Sequence, residues 1–383
     1  MEIRSVLMLS QTFYPAIGGA EKQALELSRA LVSRGVKVSV LTRRIEGAPA
    51  EEMMDGVSVL RLAVVGSGAL DSFFFMVKSF FYLLRRAAEY DVVHVHLASS
   101  PAVAAVLAGR LTGRRTVIKL GGGKGVDEIT LSMKTGLGRL KLKFFQWAGP
   151  ELLVMNSEVY DWLKGDPAFS GLKLARFKNG VDTGRYSPLS YQEKISAKAA
   201  MGFENSTIFL FVGRLSPEKR VREFVEVWAE FFAEEMIRPR MRLVIVGKGP
   251  EREGIEKAVR DLGVGATVTL AGAKDDLRPY YGAADVFVLP SVSEGLSNSM
   301  LEAMSSGAAI MAGNVGGARE ALEDGVNGFL FDPVSRQAIK ACLKKFMADK
   351  TIPLKMGEKA RETAVKKYSM ARVLDELLEI YQK

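Results

Sequence analysis

Cysteine is nearly absent from this sequence. Cys342 stands alone among 383 residues, so no intramolecular disulfide framework is available and a reducing compartment is indicated. Histidine is almost as scarce. His94 and His96 are the only two; they fall on one side of an expected strand, and no third ligand with metal spacing accompanies them, which argues against a zinc site. No apolar run reaches the ~20 residues of a membrane span. The most apolar stretch, LDSFFFMVKSFFYLL over 70–84, is shorter and contains Lys78; it reads as a core helix or as a helix partly laid on a membrane surface. The opening MEIRSVLMLS has an acidic second residue and reads as a first strand rather than a secretory signal, giving a cytoplasmic expectation. Internal repeats and low-complexity segments are also missing.

Two nucleotide signatures are incomplete. YPAIGGAEK puts Gly18 and Gly19 where a strand meets a helix, but the spacing is not GxGxxG and the acidic residue after the second strand is lacking, so a hydride-transfer cofactor is poorly supported. KLGGGKGVDE places Gly121, Gly122, Gly123 and Lys124 after a strand, yet no GK[ST] follows; a cleft loop on the acceptor side fits better than triphosphate hydrolysis. Basic and aromatic residues do not interleave as nucleic-acid binding would ask.

What is present fits a soluble globular protein of two domains: 383 residues, 48% of them apolar and 25% charged. The net charge of +9 is lopsided. Residues 1–180 carry 24 Lys+Arg against 16 Asp+Glu, and the remainder 29 against 28. A basic first half favours an acidic partner such as anionic lipid or a phosphorylated acceptor. Strand-like runs alternate with helical ones through both halves, which predicts parallel sheets covered on both faces. The expected organisation is an N-terminal Rossmann-like domain over 1–182, a second over 183–360, and a C-terminal helical stretch, 361–383, packing back on the first. The polar stretch 182–200 lacks strand signals and is read as the linker.

The motifs converge on the carboxyl ends of strands, where such sheets bind ligands. SEGLSNSMLEAMSSGAAIMA, 293–312, follows the apolar run ADVFVLP. It sets Glu294 in a strand-to-helix loop and Glu302 in the helix, with Gly295, Leu296, Ser297 and Asn298 around the helix start. A helix N-terminus suits phosphate and carboxylates suit sugar hydroxyls. Two glutamates eight apart also occur as plain solvated charge; the surrounding strand, glycine and helix start favour a site. GRLSPEKR places Gly213, Arg214 and Lys219 after another strand, two cations able to neutralise a diphosphate. His96 is the nearer of the two histidines to its strand end. Asn179, in FKNGVD, either faces the cleft or occupies a left-handed turn.

YPAIGGAEK, DVVHVH, NGVD, FVGRLSPEK, VGKGP and SEGLSNSMLEAMSSG together resemble glycosyltransferase family 4, over about Tyr14 to Phe331. The resemblance implies the α/β GT-B fold, two Rossmann-like domains with parallel sheets facing a central cleft. It implies retaining, metal-independent hexosyl transfer from a nucleotide-diphosphate-sugar, used as co-substrate with no further cofactor, to a sugar, lipid-linked or small-molecule hydroxyl acceptor. Carried onto this sequence, it puts the ribose on Glu302, the donor sugar on Glu294, and the diphosphate on Arg214 and Lys219. Gly295, Leu296, Ser297 and Asn298 meet sugar and phosphates, Gly18, Gly19 and Gly213 line the donor site, and His96 lies beside the reacting sugar. Gly121, Gly122, Gly123, Lys124 and Asn179 fall on the acceptor side, where many members carry a His-Gly pair absent here. The expectation is a cytoplasmic protein, peripheral to an anionic membrane and without nucleic-acid partners. An epimerase or phosphorylase of the same fold, or a non-catalytic sugar-nucleotide-binding subunit, is the alternative.

Overall fold

A computed structural model describes residues 2–15, 18–66, 68–123, 125, 127–234 and 240–383. The chain divides into two compact units, Met1–Gly180 with Met370–Lys383, and Val181–Ser369.

The first unit is built on an eight-stranded sheet. Its elements run β1 (Ser5–Ser10), α1 (Gly19–Ser33), β2 (Lys37–Arg43), β3 (Glu51–Met54), β4 (Val57–Leu62), α2 (Ala69–Arg85), β5 (Val92–His96), α3 (Ser100–Thr112) and β6 (Arg115–Lys119). Then follow α4 (Glu128–Met133), α5 (Gly136–Ala148), β7 (Glu151–Val154), α6 (Ser157–Gly165) and β8 (Lys173–Arg176). The strand order is β3-β4-β2-β1-β5-β6-β7-β8, parallel throughout except β3, which runs antiparallel to β4. β3 reads EEMM and is largely exposed; acidic side chains blunt a sheet edge. The central strands are continuous apolar runs because helices cover both faces.

The second unit opens with α7 (Tyr191–Ala200) and β9 (Thr207–Val212), α8 (Val221–Glu234), β10 (Met241–Val246), α9 (Arg252–Asp261), β11 (Val268–Gly272) and α10 (Arg278–Ala283). It continues with β12 (Val286–Leu289), α11 (Asn298–Ser305), β13 (Ala309–Gly313), α12 (Gly316–Ala321), β14 (Gly328–Phe331), α13 (Arg336–Ala348) and α14 (Ile352–Tyr368). Its six strands are all parallel in the order β11-β10-β9-β12-β13-β14. Trp228 on α8 is fully buried against Phe209, Phe224 and Phe232.

Two expectations need correction. The stretch 182–200 is not all linker, since Ser190 and Glu193 form a reciprocal capping box that starts α7. Lys194 and Lys198 then pin that helix to Asp285, just ahead of β12. The return to the first unit starts at Met370, not 361, because α14 stays with the second unit, packed on α11 and β13.

Helix α2 buries Asp71, Phe75, Ser79 and Leu83, one face at helical spacing, while Phe73 and Phe81 remain exposed. No described helix is long and apolar enough to cross a membrane.

The last helix, α15 (Met370–Gln382), completes the first unit by burying Val373, Leu374, Leu377, Ile380 and Tyr381 in the core that contains Ala24, Leu27 and Leu31 of α1. Leu377→Ala is expected to cost ~2–5 kcal/mol through the lost side chain and the cavity left behind. Urea unfolding followed on the first unit's tryptophans measures it, and a loss below ~1 kcal/mol would show that α15 is only loosely docked.

Candidate active site

In a parallel sheet the strand order reverses at one point, and there the adjacent connections diverge to opposite faces and leave a crevice at the strands' carboxyl ends. The second unit reverses between β9 and β12. The loop after β9 carries Gly213, Arg214 and Lys219, and the loop after β12 carries Glu294 and leads into α11. The two loops are joined: the Val292 amide donates to the Glu218 carbonyl at 3.0 Å. The Lys219 ammonium is hydrogen-bonded to the Glu294 carboxylate, each side chain being less than one-fifth exposed. Sequence assigned these two residues to different parts of a ligand; the structure pairs them with each other.

Close backbone packing fixes both loops. The Gly317 amide donates to the Gly295 carbonyl at 2.8 Å. A Cβ at Gly317 would sit 2.3 Å from that oxygen, and one at Gly316 1.8 Å from the Glu294 carbonyl oxygen. Likewise, Cβ atoms at Gly247 and Gly249 would meet the carbonyl oxygens of Gly213 and Leu215 at 1.9 and 2.2 Å. The Gly316–Gly317 pair was missed from sequence, although two glycines between a strand and a helix signal close backbone approach.

Ser297 caps α11, its hydroxyl accepting from the Met300 amide at 3.4 Å. The first turn of a helix presents amides that lack intrahelical carbonyls and a positive dipole end. Glu302 lies one turn into α11 and is only 3% exposed. Arg214 is exposed. Burial opposes ionisation of Glu218, but the Ser216 hydroxyl at 2.5 Å, the residue's own amide and the charges of Lys219 and Arg214 hold its pKa below the usual carboxylate value.

The first unit reverses between β1 and β5. Ser10, His96 and Lys119 stand side by side at the carboxyl ends of β1, β5 and β6. His96 is 3% exposed and stacks on His94 with ring centroids 4.6 Å apart, and its Nε2 has no hydrogen-bond partner among the described residues. His94 Nδ1 lies 2.5 Å from the Tyr381 hydroxyl. Burial lowers the His94 pKa to about 3, helped by the Lys119 charge, and it lowers His96 well below the ordinary value, so both imidazoles are neutral. Lys119, passed over from sequence although a lysine ending an apolar strand is a signal, is itself buried. Its pKa falls to about 7, the Glu26 charge offsetting part of the burial. Its ammonium donates to Asn179 Oδ1 at 2.7 Å. Asn179 is buried and has no left-handed backbone, so of the two readings the turn position is excluded.

The Gly121 amide donates to Glu128 Oε2 at 2.8 Å, and a Cβ there would lie 2.6 Å from Leu97 Cδ2. Gly122 has φ of 69° and Gly123 is buried; Lys124 lies outside the described residues. Gly18 and Gly19 begin α1 and are exposed. A Cβ at Gly18 would meet only the end of the Glu21 side chain, so backbone geometry does not require glycine there. Among the described residues four non-glycines have left-handed φ, and two of them, Leu97 and Arg220, directly follow His96 and Lys219. Such strain gathers where side chains are held for function.

These shifts set a pH dependence. Unfolded histidines take up protons below about 6.5 while His94 and His96 do not, so the first unit loses stability as pH falls from there. Unfolded Lys119 holds its proton up to about 10.5 and the folded residue only to about 7, so this group makes stability rise with pH between those values. Urea unfolding across pH should show that rise in the wild type and a flatter profile in Lys119→Met; identical profiles would refute the assignment.

Comparison with known proteins fits this geometry. Residues 193–363 match the family model described as Glycosyl transferases group 1, and 18–156 match Glycosyl transferase 4-like domain. The chain is 26% identical over 305 residues to the Escherichia coli UDP-Gal:alpha-D-GlcNAc-diphosphoundecaprenol alpha-1,3-galactosyltransferase, covering 78% of this chain and 77% of that one. It is 24% identical to the lipopolysaccharide core biosynthesis glycosyltransferase LpsE of Rhizobium meliloti, over 95% of each. Among solved structures, Anabaena Alr3699/HepE in complex with UDP and glucose aligns with a TM-score of 0.78 at 19% identity over 99% of both chains. Sucrose-phosphate synthase from Thermosynechococcus elongatus aligns at 0.80 and 20% identity, over 99% of this chain and 98% of that one. The chain belongs to the family 4-like glycosyltransferases and has the GT-B fold.

Proposed function

We propose that the protein transfers a hexose from a nucleoside-diphosphate sugar to a hydroxyl acceptor with retention of anomeric configuration and without a metal ion. The observation that carries the donor half is the Lys219–Glu294 pair at the reversal point of the second sheet, beside the start of α11. UDP appears in the names of both the E. coli relative and the Anabaena complex, which supports a uridine nucleotide as the first donor to try. The diphosphate lies at the first turn of α11, where Arg214 and Lys219 neutralise it. Lys219 exchanges Glu294 for phosphate, and the released carboxylate accepts hydrogen bonds from the donor sugar. Glu302 binds the ribose. Departure of the diphosphate puts negative charge on oxygens already facing cations and amides, which lowers the barrier. The departing phosphate oxygen takes the acceptor's proton as the new glycosidic bond forms on the same face. In the first unit, the neutral His96 imidazole is suited to hydrogen-bond a sugar hydroxyl.

The E. coli relative's name includes a diphosphoundecaprenol-linked sugar. A lipid-linked acceptor in polysaccharide or glycolipid synthesis is accordingly the reading for the basic first unit, with the protein at the cytoplasmic face of the membrane.

Lys219→Ala should lower kcat by about 10²–10³-fold. Glu294→Ala should do comparable damage, and the double variant should fall well short of the product of the two losses, because each single change also strands its partner. Fully multiplicative losses would mean the two side chains act independently. Product anomers read by NMR should match the donor's; an inverted product contradicts the mechanism.

A further inference from the structure

Between Leu97 and Pro150 the sequence has nine Lys and Arg residues but only two acids, Asp127 and Glu128. Neither acid is available on the surface: Asp127 is buried as the α4 N-cap, and Glu128 is bonded to the Gly121 amide. The same stretch exposes large apolar groups. On α5, Leu137, Leu140 and Trp147 recur at helical spacing and are 83%, 63% and 67% exposed, while Leu142 and Phe145 fill the core. Arg139 and Lys143 are exposed on the same helix. From α3, which packs beside α5, Arg110 places its guanidinium 5.2 Å from the Trp147 ring centre, and Leu111 is 64% exposed. Apolar groups projecting this far into water, ringed by cations, mark an interaction surface.

The chemistry selects the occupant. Phosphate-rich nucleic acid would use the cations but not two projecting leucines. A second copy meeting the same face would bring cation against cation. An anionic bilayer satisfies both halves: leucine and tryptophan enter the interface, and Arg and Lys stems follow them with their heads on lipid phosphates. We propose that this face of the first unit, centred on α5, docks on an anionic lipid bilayer, with Leu137, Leu140 and Trp147 inserted and Arg110, Arg139 and Lys143 on the phosphates. Docking needs neither donor nor acceptor, so it stands or falls separately from the proposed reaction.

Flotation of the full chain with vesicles of phosphatidylcholine alone, and of phosphatidylcholine mixed with phosphatidylglycerol, tests the proposal. Binding is expected to the mixed vesicles, weakened by salt, with a blue shift of tryptophan emission that Trp147→Phe removes. Leu137→Glu with Leu140→Glu should abolish binding. Arg139→Gln and Lys143→Gln should each weaken it roughly five-fold. Leu262→Glu, at an exposed position of the second unit, should have no effect. All these sites are exposed, so circular dichroism should be unchanged. Equal binding to neutral vesicles, binding that survives the leucine changes, or self-association through Leu137 and Leu140 in place of vesicle binding would overturn the proposal.

Discussion

The candidate site of the second unit depends on backbone meeting backbone. Glycines 316 and 317 lie so close to the carbonyls of Glu294 and Gly295 that no side chain fits between them, and the Gly317 amide adds a hydrogen bond. Glycines 247 and 249 crowd the loop at Gly213 and Leu215 in the same manner. Loops are ordinarily the least constrained parts of a fold. Here two of them are held by close backbone packing, and Lys219 and Glu294 meet between them. A preset arrangement reduces the ordering cost of binding and of the chemical step.

The two units solve the same positioning problem with opposite electrostatics. At the reversal point of the second sheet a cation and an anion are paired and partly exposed. At the reversal point of the first, burial strips charge away: His94 and His96 are neutral and Lys119 is held near the edge of deprotonation. Charged groups thus meet at the reversal point of the second sheet, and neutral imidazoles stack at that of the first. In both places a residue with left-handed φ, Arg220 or Leu97, directly follows the candidate side chain, Lys219 or His96.

Much of this was legible in the sequence. The strand–loop–helix run from ADVFVLP through Glu302 shows itself because a buried parallel strand is continuously apolar and its helix starts at a Ser-Asn-Ser cluster. Gly35, just past the end of α1, takes a left-handed φ of 79°, and a glycine at such a position is a helix stop signal. Local signals that went unused account for several misses. Asp127, Thr135 and Asn156 each cap a helix, α4, α5 and α6, that hydrophobic pattern alone did not reveal. Ser190 and Glu193 similarly announce α7 inside the supposed linker. Other features were not available in principle. The Lys219–Glu294 pair joins residues 75 positions apart, and the burial of Asn179 beneath Lys119 joins residues 60 apart; such contacts follow from strand order, which no local pattern specifies.

The central claim is that one nucleoside-diphosphate sugar lies across the loops after β9 and β12. A crystal structure of the protein with bound uridine diphosphate tests it most directly. The account predicts the diphosphate at the first turn of α11, Lys219 shifted from Glu294 to phosphate, and the ribose hydroxyls on Glu302. Nucleotide density elsewhere, or a Lys219–Glu294 pair left unbroken with the nucleotide bound, would contradict it.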